Sequence, residues 1–159
     1  MINLKSNKGF TLLEVLIVVS IILIIAGIAM PRFLGISEQG RKARAAGDLR
    51  VLQTAVESYV LFTNSLPATG TDLEGANPQI ISDFAKDFVD PFMANGTTTY
   101  KYTSAVGSGV TAGKKYYAFS SAGPDQAQGT VTINVGVNPA TYTVANGADD
   151  IIVSNAKKV

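Results

Sequence analysis

Carboxylates are the side chains in this sequence with chemistry to offer. It contains no histidine and no cysteine, which closes Ser-His-Asp and Cys-His nucleophilic catalysis, zinc or haem ligation by those residues, and any disulfide framework. Two acidic groupings are placed where they could converge: Asp125, at the end of Ser120-Ser121-Ala122-Gly123-Pro124-Asp125, and the pair in Asp149-Asp150-Ile151 near the C-terminus. Calcium takes about six to eight oxygens from carboxylates and loop carbonyls, and a turn bearing Asp125 folded against Asp149 and Asp150 would supply such oxygens. Gly123-Pro124-Asp125 reads equally well as a plain tight turn, and both readings stay open. Carboxylate pairs also catalyse glycoside hydrolysis, but no spacing singles one out, so an enzyme is not expected.

One carboxylate sits where its charge is costly. From Phe10 to Met30 the chain reads FTLLEVLIVVSIILIIAGIAM, with Glu14 its only charge. As a helix this stretch would be roughly 30 Å long, the thickness of a bilayer's hydrocarbon core. An ionised residue there costs on the order of 2.5–3.5 kcal/mol unless it is paired. Three readings compete. A cleaved secretory signal would use the small residues Gly27-Ile28-Ala29, though the apolar run is long for that role. A simple anchor would keep the basic leader, with Lys5 and Lys8, in the cytoplasm. The third reading explains Glu14: cutting after Gly9 gives Phe10 a new α-amino group one helical turn away, where it can pair with Glu14 of its own chain or of a neighbour.

The stretch Lys8-Gly9-Phe10-Thr11-Leu12-Leu13-Glu14-Val15 resembles the class III signal of type IV pilins and type II secretion pseudopilins. The resemblance implies cleavage by a prepilin peptidase between Gly9 and Phe10 and methylation of the new terminus on Phe10. It places the family's buried glutamate at Glu14 and its helix-kinking proline at Pro31, both as assembly residues. Residues 1–9 are then a leader, 10–62 a stem helix whose first part, 10–30, spans the membrane or forms a filament core, and 63–159 a head.

The pattern beyond the span fits a stem. Pro31 should kink or locally melt the helix, and Gly35, Gly40 and Gly47 each cost about 0.8–1 kcal/mol relative to alanine. Leu49, Leu52, Val56 and Tyr59 then recur at three- and four-residue spacing, predicting a face laid against the head. Thr63-Asn64-Ser65-Leu66-Pro67 ends the helix. The bases Arg41, Lys42, Arg44 and Arg50 form a solvated neck, with pairing to acids of adjacent subunits as a middle case; nucleic acid is not an expected partner. In the head, a short helix is expected over 78–90, and strands over Thr97–Thr103, Lys114–Ser120, Thr130–Val137 and Thr141–Ala145. The fold class is α+β, a long N-terminal helix packed against a small antiparallel sheet.

Further likenesses bear on the head. Asp90-Pro91-Phe92, with Tyr100 and Tyr102, resembles the D-P-W-G-N-x-Y region of major pseudopilins, with Phe92 in place of tryptophan. The two acidic elements resemble that family's S-x-G-x-D and D-D-I calcium loops, which implies ligand roles for Asp125, Asp149 and Asp150, completed by backbone oxygens near Phe119 and Ser121. This chain departs by inserting residues 126–148 between them. The resemblance thus implies a major pseudopilin: a homo-oligomeric helical filament, built in the bacterial inner membrane with minor pseudopilins and an assembly platform, with a cytoplasmic N-terminus and a periplasmic head. The pilin of a surface fibre, and a membrane-anchored, calcium-stabilised β-domain, are the alternatives. Removing the leader changes the formal charge from +1 to −1, before the freed terminus is counted.

Overall fold

The computed structural model describes residues 9–75, 78–147 and 150–158. Helix α1 runs Leu12–Thr63. Thr11 starts it: its hydroxyl accepts the Glu14 N–H at 3.2 Å, satisfying one of the donors a helix leaves open at its N-terminus, and its carbonyl accepts the first i→i−4 bond, from the Val15 N–H at 3.3 Å. Asn64 stops it in the left-handed region, φ 52°, with its N–H on the Val60 carbonyl at 2.9 Å. Helical backbone continues through Pro31, Gly35, Gly40 and Gly47. The local melting expected at Pro31 is therefore not observed, since the i→i−4 ladder loses only one donor there.

The chain divides into two compact units after Gln39. Among the described residues the N-terminal unit is the first part of α1 preceded by Gly9, Phe10 and Thr11, and Leu12–Met30 is long and apolar enough to cross a membrane. The second unit, from Gly40, has its own core. Ala45, Leu49, Leu52, Ala55 and Val56 form one buried stripe of α1, as the apolar spacing predicted, with Tyr59 packed at its end. Burying a leucine fully stabilises by about 1.5–3 kcal/mol, so this stripe belongs energetically with the head.

Six strands follow: β1 Lys101–Val106, β2 Lys115–Ser121, β3 Thr130–Asn134, β4 Thr141–Ala145, β5 Ile151–Ser154 and β6 Lys157–Lys158. They form two three-stranded sheets, β1-β2-β5 and β3-β4-β6. The pairs are antiparallel except β4 with β6, which is parallel. Strand β2 is the hinge of the packing. Its Tyr117 and Phe119 face the α1 stripe, while Tyr116 and Ala118 face Val131 and Tyr142 of the second sheet. The second unit is thus layered as helix, sheet, sheet, and β2, covered on both faces, reads as a nearly continuous apolar run.

Several expected elements moved, each for a local reason. The helix over 78–90 shrinks to one turn, α2 Phe84–Asp87, capped by the Asp83 carboxylate on the Lys86 N–H at 2.9 Å. Ile80 and Ile81 instead give their N–H groups to the Leu73 carbonyl, and Val89 bridges to Thr99. At Gly70, in the preceding 3-10 turn Gly70–Leu73, a Cβ would come within 2.5–2.7 Å of the Phe84 ring. The strand expected at 97 begins at 101, because the Asn95 side-chain oxygen takes the N–H groups of Thr97 and Thr98 at 3.2 and 3.1 Å and holds them in a turn. The strand expected to reach Val137 stops at Asn134, whose side-chain oxygen turns the chain by accepting the Gly136 N–H at 3.0 Å. Strands β5 and β6 were not anticipated.

Tyrosines tie the first sheet's side of the head to α1. The Tyr100 hydroxyl donates to Asp48 at 2.9 Å and that of Tyr117 to Glu57 at 2.8 Å. Burial raises both hydroxyls' pKa values, the accepting carboxylates adding to the effect, and burial pushes Tyr102 up to about 12. Folded values above the ordinary 10 mean that this stability is complete below pH 10 and is lost as the pH rises through the folded values. Denaturation midpoints should be flat from pH 7 to about 10 and fall above it. The fall should shrink in Tyr100→Phe/Tyr117→Phe; an equal fall in that variant would assign it to other groups.

Candidate functional site

Two regions carry the residues singled out by the sequence. In the first, Gly9 and Phe10 precede α1 as exposed, non-helical residues. Glu14 lies in the first turn, three residues after its capping residue Thr11. There the partial positive charge of the helix N-terminus favours its carboxylate, and the Thr-x-x-Glu spacing is that of a capping box. Leu12, Leu13, Val15, Leu16, Ile17 and, further on, residues 21–25, Ile28, Met30, Phe33 and Ile36 are exposed, so the face that must leave water is uncovered in the single chain. Pro31 lies within the helix. Lys8 falls outside the described residues.

The second region is the junction of β2 with β5. Their register sets Ser121 opposite Ile151, which places Asp150 beside the Ala122–Asp125 turn. Residues 126–148 leave and return at this point and build the β3–β4 hairpin between. The strand ends from which the two acidic elements leave, Ser121 and Ile151, are therefore neighbours despite the intervening segment. Asp125 Oδ1 accepts the Ala127 N–H at 2.9 Å, and Asp150 Oδ2 the Gly129 N–H at 2.9 Å. Gly129 and Gly147 make room for Asp150, whose carboxylate a Cβ at either position would meet. Ser121 ends β2, while Phe119 lies within the ladder, opposite Tyr102 and Val153. Asp149 lies outside the described residues, and among those described no three acidic side chains converge on a metal position. The donor set of carboxylates and turn carbonyls is of the hard-oxygen kind that calcium selects.

Sequence reading missed the central residue of this junction. Asp90 closes the helix expected over 78–90, yet it is 1% exposed. Its Oδ1 accepts the Phe92 N–H at 3.0 Å and the Ser121 hydroxyl at 2.9 Å, and its Oδ2 the Ala122 N–H at 2.7 Å. One buried carboxylate thus fastens the Asp90-Pro91-Phe92 turn to the root of the Asp125 turn. A signal was available: an Asp next to proline within an apolar stretch can cap local N–H groups. Its partners 31 and 32 residues away could not be read from that spacing.

Comparison with known proteins bears on the first region. Residues 4–30 match the prokaryotic N-terminal methylation motif. The chain is 36% identical over 68 residues to the type II secretion system core protein G of Escherichia coli, covering 43% of this chain and 47% of that protein. It is 36% identical over 72 residues to the core protein G of Vibrio cholerae, covering 45% and 49%. A fimbrial protein of Pseudomonas aeruginosa is 38% identical over 68 residues, covering 43% and 44%. The matched region spans just under half the length of these relatives. No solved structure matches. With the methylation motif at its start, sequence similar to pseudopilins and fimbrial proteins over its N-terminal region, and a long helix followed by small β-sheets, the chain resembles type IV pilin-like proteins.

Proposed function

We propose that this protein is the major pseudopilin of a type II secretion system, a structural subunit and not an enzyme. It waits in the inner membrane and joins a helical filament after cleavage at Gly9 and methylation of Phe10. The observation that carries the reading is the pairing of one internal carboxylate, Glu14, with a cleavable Gly9-Phe10 junction at the head of an uncovered apolar helix. In water that surface has no partner; bilayer lipid covers it before assembly and neighbouring stems cover it in a filament. Prepilin peptidase, the assembly platform and minor pseudopilins are its partners in this reading, with the head in the periplasm. Mass analysis of the mature N-terminus tests it. A methylated Phe10 is expected; a start at Met1 or Met30 overturns it. The fimbrial relatives favour a second reading, the pilin of a surface fibre. An export defect on deletion selects the pseudopilus, and abundant extracellular fibres select the pilus.

Calcium forms part of the proposal. Asp125, Asp149 and Asp150 would hold it, completed by backbone oxygens near Phe119 and Ser121, and the ion would cross-link the turn to the start of β5. Support comes from the β2–β5 register, which brings Asp150 to the Asp125 turn. Calcium at about 100 times its dissociation constant should stabilise the detergent-solubilised chain by about 2.7 kcal/mol. Superimposable melts in calcium and in chelator would remove the site.

A further inference from the structure

The second sheet presents a face that the filament reading leaves without a role. Along β3 and β4, Val131, Ile133, Tyr142 and Val144 turn toward the first sheet, so Thr132, Asn134, Thr141 and Thr143 point away from it. With Lys157 and Lys158 of β6 they line a groove of about 1000 Å³. Among the described residues no acidic side chain lines it, and both lysines are exposed.

Charge elsewhere in the chain is distributed to match. Residues 64–100 hold five acids, Asp72, Glu74, Asp83, Asp87 and Asp90, against one base, Lys86. Asp90 is buried, Asp72, Glu74 and Asp83 are half-buried and Asp87 is exposed. Internal donors hold them in place: Ala68 and Thr69 N–H groups on Asp72, the Phe84 N–H on Glu74, the Lys86 N–H on Asp83 and the Ser82 hydroxyl on Asp87. They are ordered anions, so little side-chain entropy remains to be lost on contact. Leu73, Phe84 and Phe88 of this segment pack into the core on the α1 side of the first sheet. The groove lies on the far side of the second sheet. The acidic segment and the lysine-lined groove thus occupy opposite sides of the same layered unit.

We propose that the groove receives the Asp87 side of the acidic surface formed by Asp72, Glu74, Asp83 and Asp87 of a second copy of this chain, resting on the filament reading given above. Two different complementary patches on one molecule make a heterologous contact, which propagates into an open helical array instead of closing as a dimer. Each exposed ion pair is worth little alone, about 0–1 kcal/mol. Reversing the charge replaces attraction with repulsion at every contact along the array.

Charge reversal and rescue in the full chain, expressed in the cell that assembles it, provide the test. Lys157→Glu/Lys158→Glu should lower filament yield about tenfold, with the variant melting like the wild type. Adding Asp87→Lys to Lys158→Glu should recover about half of what Lys158→Glu alone loses. Normal yield in the double reversal overturns the proposal, and a loss that Asp87→Lys does not relieve assigns the groove to another acidic partner and overturns it too. Because the chain has no cysteine, Asp87→Cys/Lys158→Cys reads the contact separately. A disulfide-linked ladder is expected, and only the dimers given by each single variant would refute it. Wild-type cells without filaments would sink the filament reading, while the ladder would still report the contact.

Discussion

Asp90→Ala is expected to destabilise the head by about 3–5 kcal/mol, among the largest losses a single side chain here can produce. Its carboxylate accepts from three donors, Phe92 N–H, Ser121 hydroxyl and Ala122 N–H, at a site 1% exposed. Alanine would leave those donors facing a space with no acceptor, and an orphaned buried donor costs about 1–3 kcal/mol. Asp90→Asn retains one acceptor oxygen and presents an amide where Ala122 or Ser121 now donates, so it should recover only part of the loss. Urea denaturation of the detergent-solubilised variants measures both. A loss below about 1 kcal/mol for Asp90→Ala would show that the turns hold without their shared carboxylate. Because the same residue anchors the root of the Asp125 turn, Asp90→Ala should also abolish any stabilisation by calcium.

Glu14→Ala is expected to stop assembly while leaving processing intact, with filament yield down about a hundredfold. The estimate follows from the roughly 2.5–3.5 kcal/mol an unpaired charge costs in a membrane helix, which pairing with a neighbour's Phe10 amino group would offset. Removing Glu14 instead leaves that amino group without its partner in an apolar core. Thr11 keeps its cap on the residue 14 backbone N–H, so the helix start should survive the change. The measurement is paired: a mature terminus at Phe10 shows that the variant was inserted and cut, and filament counting shows whether it then docked. Yield equal to wild type in a processed Glu14→Ala protein would assign the carboxylate to helix capping alone. Glu14→Gln, which keeps the length and loses the charge, should resemble Glu14→Ala if pairing with a cation is its purpose.

Residues near one another in the chain were the ones whose roles could be read directly. Thr63 to Pro67 carries its helix stop in its own chemistry, and the structure turns at Asn64. The spacing of Leu49, Leu52 and Val56 declared a buried face, and all three are buried. Strand β4 was placed at Thr141–Ala145 by alternation and β-branching, where the structure has it. Failures came where local signals competed. Asn95 diverted Thr97 and Thr98 from a strand into a turn, and Ile81, Phe84 and Phe88 are apolar and buried while only one helical turn forms among them. Ile151–Ser154 is β-branched but only four residues long, too short for periodicity to separate from the acidic loop before it.

The N-terminal segment is legible in the chain alone, because the cleavage and membrane insertion proposed for it would act on contiguous residues: Gly9 beside Phe10, Glu14 four positions on, and an apolar run behind them. Partnerships across the chain belong to the tertiary structure. Where the two ends of the segment between the acidic elements lie depends on which strand pairs with β2, and the Ser121–Ile151 register makes them neighbours. The same layering turns β2 into a strand buried on both faces, sends Asp90 to the Asp125 turn, and sets a lysine groove opposite an acidic segment. These arrangements rest on hydrogen bonds and apolar contacts between residues separated by tens of positions. Composition and spacing are local quantities, and a packed core joins parts of the chain that they describe independently.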